Sequence, residues 1–369
     1  MTPRTSVLAR SSTPRFDLLA VDDPLWPALL SRVRHDVYQL PAYVELEARR
    51  TGGQPAAALA RADGMFVLVP LVLRPLPAAL GVAGARDAAS PYGYPGLIVG
   101  GGEAGPLSAL LNGLLTGLAG VGVCSLFVRL HTLLGQAVGE LSELGRVVRH
   151  GETVWIDLTL TDEQLWRQTR ENHRRKIRKL IDAGVTVRIE EGWRRLGDFI
   201  AIYHDAMRAV GAAEWYFFDR SYFEALHAAL GEHVYLALVE RSEELIAGGI
   251  FTLCGDLMQY HLGATAGAAR PLSPSCLMFH YMRTWGRDHG AGAFNLGGGV
   301  GASADSLFHF KAGFTPLRAP FFTWRAISDP GLFGAAMGRW EVLSGRTAGG
   351  LDGYFPAYRE AIAEAAMSP

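Results

Sequence analysis

The stretch Phe294-Asn-Leu-Gly-Gly-Gly-Val-Gly-Ala-Ser-Ala-Asp-Ser-Leu-Phe-His-Phe-Lys311-Ala-Gly-Phe314 sets one lysine among aromatic residues, behind a glycine-rich loop. Gly297, Gly298, Gly299 and Gly301 let the backbone turn sharply and come close to a bound group. Phe308, Phe310 and Phe314 suit a core and would fix Lys311 in place. An ammonium held in an apolar frame suits the stabilisation of negative charge that develops during a reaction. On spacing alone, a solvent-exposed lysine between core phenylalanines explains the pattern equally well.

Gly297-x-Gly299-x-x-Ala302 also fits a dinucleotide-binding fingerprint in form, but its context is wrong. No helix is expected to open on it, and no strand-ending acid follows about twenty residues on. Zinc-protease, phosphate-loop and serine-hydrolase signatures are absent. The histidines are scattered, so His261 and His280 read as hydrogen-bonding residues rather than metal ligands, and no metal is expected.

A basic run offers different chemistry. Arg167, Arg170, Arg174 and Arg178 recur every three or four residues, with Arg175 and Lys179 beside them. Glu171 is the one acid between 170 and 179, so the like charges repel with little local relief. A phosphate backbone would relieve them through counterion release. A solvated helix face is the competing explanation. Aromatic groups that could line a cleft are Tyr92 and Tyr94 in Ser90-Pro-Tyr-Gly-Tyr-Pro-Gly96, Tyr216 in Glu214-Trp-Tyr-Phe-Phe218, and Tyr260-His261. Plain core aromatics explain each of these as well.

The elements that must position these residues follow from local signals. Pro41 suits the first turn of a helix to Arg50. Asp63-Gly64 predicts a hairpin between strands 55–61 and 65–73. Thr161-Asp-Glu-Gln164 is a capping box opening one helix to about Ala183, stopped by Gly184. Helices are also expected at 106–119, 196–210, 220–230 and 273–289, with strands at 97–99, 121–130, 154–158 and 293–296. The segments 234–240, 245–254 and 257–264 form an antiparallel meander, turning at 241–244 and 255–256. Residues 16–50 read as one or two helices, and the chain from 330 onward as helical.

The order of elements repeats between the halves without repeating in sequence. This predicts an α/β fold of the α+β type, with tandem units that are each a mixed, mostly antiparallel sheet flanked by helices. The boundaries expected are a flexible basic tail at 1–15, units at 16–160 and 161–330, and a helical extension at 331–369.

The 369 residues are 49% hydrophobic and 19% charged, which fits a folded protein with a large core. A net charge of -1 excludes a global attraction to DNA or RNA and leaves only local patches. Cys124, Cys254 and Cys276 form neither a metal spacing nor a disulfide framework, as expected in a reducing cytoplasm. No apolar run is long enough to span a membrane, so at most peripheral contact is expected.

Taken together, Ser90-Pro-Tyr-Gly-Tyr-Pro-Gly96, Asn172-His-Arg-Arg-Lys-Ile-Arg178, Tyr260-His-Leu-Gly263 and Leu296-Gly-Gly-Gly299 with Phe310-Lys-Ala-Gly-Phe314 resemble the Fem-like aminoacyltransferases. These are tRNA-dependent enzymes that add amino acids to peptidoglycan precursors. They belong to a wider group of Fem-like acyltransferases with tandem domains of the GNAT (N-acetyltransferase) fold. The resemblance covers roughly residues 35–325. It implies that Lys311 and Phe310 lie at the transfer site, where an amine attacks the ester of an aminoacyl-tRNA. Substrate contacts are expected from Tyr92, Tyr94, Tyr216, Tyr260, His261, Arg270, Gly298 and Gly299. The resemblance implies tRNA contacts from Arg167, Arg170, Arg174, Arg175, Arg178 and Lys179.

One departure bears on the donor. Acetyl-CoA-dependent members use a glycine-containing loop whose amides hold a pyrophosphate at a helix start. The matching segment here, Ala268-Ala-Arg-Pro-Leu-Ser-Pro-Ser-Cys276, keeps Arg270 but places no glycine after it, and Pro271 and Pro274 lack amide donors. This favours aminoacyl-tRNA as co-substrate, with no other cofactor. An acyl-CoA N-acyltransferase of exopolysaccharide or natural-product biosynthesis, and a non-catalytic RNA-binding protein on the same fold, are the alternatives.

Overall fold

The computed structural model describes residues 13–102, 107–135 and 137–360. The expected tail lies outside these residues up to position 12, as does the last part of the expected helical extension, 361–369.

The first half runs through β1 (Arg15–Leu19), α1 (Leu25–Leu30), α2 (Pro41–Thr51), β2 (Gln54–Ala62), β3 (Met65–Pro75), β4 (Arg86–Ala89), β5 (Ile98–Gly100), α3 (Leu107–Gly120), β6 (Val123–Arg129), α4 (Val138–Glu143) and β7 (Arg146–Asp157). The second runs through α5 (Asp162–Gln168), α6 (Glu171–Asp182), β8 (Thr186–Ile189), α7 (Leu196–Ala209), α8 (Arg220–Leu230), β9 (Val234–Arg241), β10 (Glu244–Cys254), β11 (Leu257–Thr265), α9 (Ser275–Asp288), β12 (Ala293–Gly297), α10 (Ser306–Lys311), β13 (Arg318–Ile327) and α11 (Pro330–Ser344).

Local chemistry explains several boundaries. Pro41 opens α2 and Gly52, left-handed at φ 68°, closes it. Asp63 and Gly64 both take positive φ, as a two-residue hairpin with the sheet's twist requires. Thr161 and Gln164 bond reciprocally at the start of α5. The single helix expected from there to Ala183 is in fact two. Thr169 and Arg170 are extended, and the Arg170 N–H leaves the helix to donate to Gly313 O at 2.8 Å. Buried Arg283 donates to Thr169 Oγ1 at 2.7 Å, so tertiary partners replace the missing helical bonds.

Other differences have the same origin. Residues 15–19 form strand β1 where only helix was expected, because they pair antiparallel with β2. Strands β4, β8 and β13 carry weak local signals and exist through their partners. The helix α11 ends at Ser344, and turns and a short 3-10 segment follow to residue 360.

All described strands belong to one sheet, ordered β1-β2-β3-β4-β6-β13-β7-β12-β11-β10-β9-β8, with β5 on β3. The order is symmetric about the β13–β7 pair. In each half a meander leads to a parallel pair, β4 with β6 and β11 with β12. The strand completing each half comes from the other. β13 pairs with β6, and β7 pairs with β12. The tandem units therefore exchange their last strands. Buried Leu111, Leu114 and Trp324 centre the core on one side of this seam, and Phe251, Phe279, Phe294 and Phe314 on the other.

Candidate active site

Strand β12 carries Asn295 between buried Phe294 and Leu296. A buried polar amide needs partners. Its Nδ2 donates to Gln259 Oε1 at 2.8 Å and to Thr132 Oγ1 at 3.3 Å. Gln259 Nε2 in turn donates to Asp36 Oδ2 at 2.6 Å. His131 Nδ1 accepts the N–H groups of Leu133 and Leu134, so its Nε2–H donates to Asp36 at 2.9 Å. This buried chain ties the first half to the second. It ends where Asn295 Oδ1 accepts the Gly297 N–H at 3.0 Å, fixing the strand's last turn.

Gly297 sits at φ 76°, and a Cβ there would lie 3.3 Å from the Tyr94 hydroxyl and 3.4 Å from Lys311 Nζ. The glycine thus keeps open the point where Tyr94 of the first half meets Lys311 of the second. Lys311 ends α10 and is buried, with 5% of its surface exposed. Its Nζ donates to Gly298 O at 2.7 Å and lies 5.5 Å from the Tyr260 ring centre. Burial pushes its pKa down to about 7, with Asp305 opposing. Both protonation states are therefore populated near neutrality. The exposed-lysine reading is excluded.

The neighbours of Lys311 are seated by packing. His173 of α6 donates from Nε2 to Phe310 O at 2.9 Å, and burial pushes its pKa down. Its ring lies 5.2 Å from Phe310 and 4.9 Å from Phe314. A Cβ on Gly313 would lie 2.4 Å from His173 Nε2, which is why a glycine follows the lysine by two. Phe310 also packs on Phe279, which helps seat α10. Contrary to expectation, a helix does follow the glycine loop. Its N-terminus is filled by Asp305, which accepts from Phe308 N and Val300 N.

Residues 167–311, from α5 to Lys311, match the family model described as Acetyltransferase (GNAT) domain. The structure superposes on that of FemX with a TM-score of 0.61 at 17% identity, covering 83% of this chain and 96% of that one. The fold is Fem-like, two GNAT units in tandem. L-PGS from Bacillus licheniformis shares it at TM-score 0.52 and 14% identity, over 83% of this chain and 92% of that chain. A C-terminal domain (DUF2156) from Agrobacterium fabrum, designated a lysylphosphatidylglycerol synthetase, does so at 0.51 and 14%, over 84% and 92%. No curated protein matches the chain by sequence.

The Fem-like fold gathers some of the expected residues and disperses others. The Tyr94 hydroxyl lies beside Gly297, and burial pushes its pKa up to about 12. With Gly298, Tyr260 and Lys311 it forms one constellation. A Cβ on Gly299 would strike Asp305, so this glycine serves the approach of the loop to α10. Tyr92 lies 5.4 Å from Trp215, whose ring lies tilted against Tyr216 with centres 3.8 Å apart. His261 is held between the hydroxyls of Tyr38 and Tyr222 at 3.3 and 3.4 Å. Burial, then Arg50, pushes its pKa down to about 4, so it is neutral. Arg270 is exposed in the turn Gly267–Leu272.

The basic stripe spans α5 and α6 and is partly neutralised. Arg167 pairs with Glu163. Arg174 and Arg178 both reach Glu171, at 2.6 and 3.6 Å, and Arg178 also lies over Trp166. The expected lack of local relief is corrected, because one acid serves two arginines. Arg170, Arg175 and Lys179 remain exposed.

Sequence reasoning missed Asp36, His131, His173, Gln259, Asn295 and Asp305. A usable signal existed for one of them, since Asn295 is a polar residue inside an otherwise apolar strand. Among the described residues no helix is long and apolar enough to cross a membrane, and no group of His, Cys, Asp or Glu could hold a metal ion.

Proposed function

We propose that the protein is an aminoacyltransferase that moves an amino acid from aminoacyl-tRNA onto an amine, with amine-bearing peptidoglycan precursors among the acceptors to test. The observation that carries this reading is the buried Lys311 at the junction of the two halves, beside Gly298 and Tyr94. The acceptor nitrogen attacks the ester carbonyl, the C–N bond forms, and the bond to the ribose oxygen breaks. Lys311 as ammonium donates to the oxyanion or to the leaving oxygen. With a pKa near 7 it can give up a proton and recover it at little cost. The ribose hydroxyl beside the ester relays the remaining proton.

The donor assignment rests on the connection between β11 and α9. Pro271 lies within that turn and Pro274 caps α9, so amides that would hold a pyrophosphate are missing. A tRNA would instead lie along Arg170, Arg175 and Lys179, and the reading entails a cytoplasmic location. The match of residues 167–311 to an acetyltransferase model favours acyl-CoA as the rival donor. Incubation with radiolabelled aminoacyl-tRNA and candidate amines decides. Labelled amide is expected. Transfer from acyl-CoA with none from aminoacyl-tRNA would overturn the proposal, and transfer from neither donor would leave an RNA-binding role.

A further inference from the structure

The first half has its own mouth, at the ends of β4 and β6, and its chemistry differs. A cavity of about 500 Å³ opens there, with Arg50, Arg74, Arg129, Arg325 and Arg359 in its wall. The carboxylates nearby do not balance these charges. Glu47 pairs with Arg50 at 2.7 Å, while Asp87 is shared by Arg74 and Arg359, each at 2.7 Å. Arg129 and Arg325 have no carboxylate partner among the described residues. Asp352, the acid whose field favours the Arg325 charge, is bonded to Arg146.

Arg325 is only 6% exposed, its Nη1 donates to the carbonyls of Leu351 and Gly353 at 2.6 Å, and its buried Nε has no partner. Arg129 donates to Ser90 O at 3.2 Å and lies 5.1 Å over the Phe127 ring. Burial pushes both guanidinium pKa values down. Arg325 is buried and Arg129 half-buried. A charge so placed without a counter-charge is costly, and a bound oxyanion removes that cost. Part of the wall is the segment Tyr354–Pro356 with Arg359, beyond the residues that match the acetyltransferase model.

The loop 90–96 connects this cavity to Lys311. Tyr92 lines the cavity, while Tyr94, two residues on, places its hydroxyl at Gly297. The two tyrosines are two residues, about 7 Å of chain, apart.

We propose that this cavity binds an oxyanion, phosphate or carboxylate, carried by the acceptor whose amine is acylated at Lys311, with Arg129 and Arg325 as its anchors. The assignment of the acceptor rests on the aminoacyl transfer proposed above. The cavity as an oxyanion site stands on its own residues. Planar guanidinium groups bond such an oxyanion in a fork, and Tyr92 and Trp215 cover the apolar part of the molecule.

Calorimetric titration of the full chain with inorganic pyrophosphate, and separately with succinate, tests the proposal. Saturable binding of one ion per chain is expected for at least one probe, and the tighter probe identifies phosphate or carboxylate as the preferred group. R129Q is expected to weaken binding about tenfold or more, the loss of a charge-assisted bond. R325K, which keeps the charge and loses the fork, should weaken it similarly, and R241Q on the far edge should not. Circular dichroism checks each variant, and the wild-type titration decides even if one misfolds. No saturable binding of either ion overturns the proposal, as does equal loss in R241Q or no loss in R129Q and R325K. If binding and its loss in R129Q persist without transfer from aminoacyl-tRNA, the donor reading fails and the cavity stands. Transfer without anion binding removes the cavity alone.

Discussion

The two mouths of the molecule occupy equivalent places and are built from opposite materials. Strand β6 ends in Arg129 and strand β12, its counterpart across the seam, ends in Gly297. The first mouth is crowded with guanidinium groups that stay charged at any physiological pH. The second is emptied by glycine and holds one amine whose pKa is about 7. Fixed charge suits a group that is anionic throughout. A titratable amine suits charge that appears and disappears during a reaction. On the two proposals above, equal topology would serve holding in one half and transformation in the other.

The largest expected effect is at the second mouth. Lys311→Ala should lower the transfer rate by about 10²–10³, the usual loss for one oxyanion donor, with the fold intact by circular dichroism. An unchanged turnover would remove Lys311 from the chemistry and erase the contrast between the mouths. Gly297→Ala comes next. It strains a left-handed position by about 1 kcal/mol and crowds Tyr94 and Lys311, so kcat should fall about tenfold or more. A kinetic assay showing wild-type kcat would mean that the gap at Gly297 is not used.

The pH dependence follows from the same lysine. If the ammonium is the active form, the rate should fall as pH rises through about 7, and Lys311→Arg should abolish that inflection. The stability effect has the opposite slope. The folded pKa lies below the ordinary 10.5, so between about 7 and 10.5 the unfolded chain binds more protons, and stability rises with pH across that window. Urea unfolding of Lys311→Met should lose this rise and show a more stable protein below pH 7.

Smaller effects belong to the surface. Reversing Arg170, Arg175 and Lys179 to glutamate should weaken tRNA binding severalfold and flatten its salt dependence, measured by filter binding. Glu171→Gln should tighten it, because Glu171 competes for Arg174 and Arg178. If neither change registers, the stripe is a solvated face. The smallest effect is Thr161→Ala, which removes a cap worth about 1 kcal/mol of stability and should leave transfer unchanged.

Features decided within a few residues were legible in the sequence. The Asp63-Gly64 hairpin, the Thr161 capping box and the aromatic frame of Lys311 are of this kind. The burial of Lys311 was not, because spacing alone fits a core and a surface lysine equally. The break at Thr169–Arg170 needs Gly313 O, which lies far along the chain. Strand β13 contains Pro320 and a bulge after Phe321, so its local pattern is poor, and it is defined by β6 and β7. The cavity arginines come from α2, β3, β6, β13 and the C-terminal segment. Each alone reads as an ordinary exposed charge.

The exchange of β7 and β13 also governs how the chain can be made. During synthesis the first half emerges with the edge of β6 unpaired, and its partner arrives only when Ile327 has left the ribosome. At about 5–20 residues per second that interval is roughly 10–40 s. An open strand edge is a template for wrong pairing, so this interval is when the nascent protein is most exposed to aggregation. A chain truncated before β13 keeps that edge permanently, and neither half is a module that can be cut out and expressed as a finished sheet.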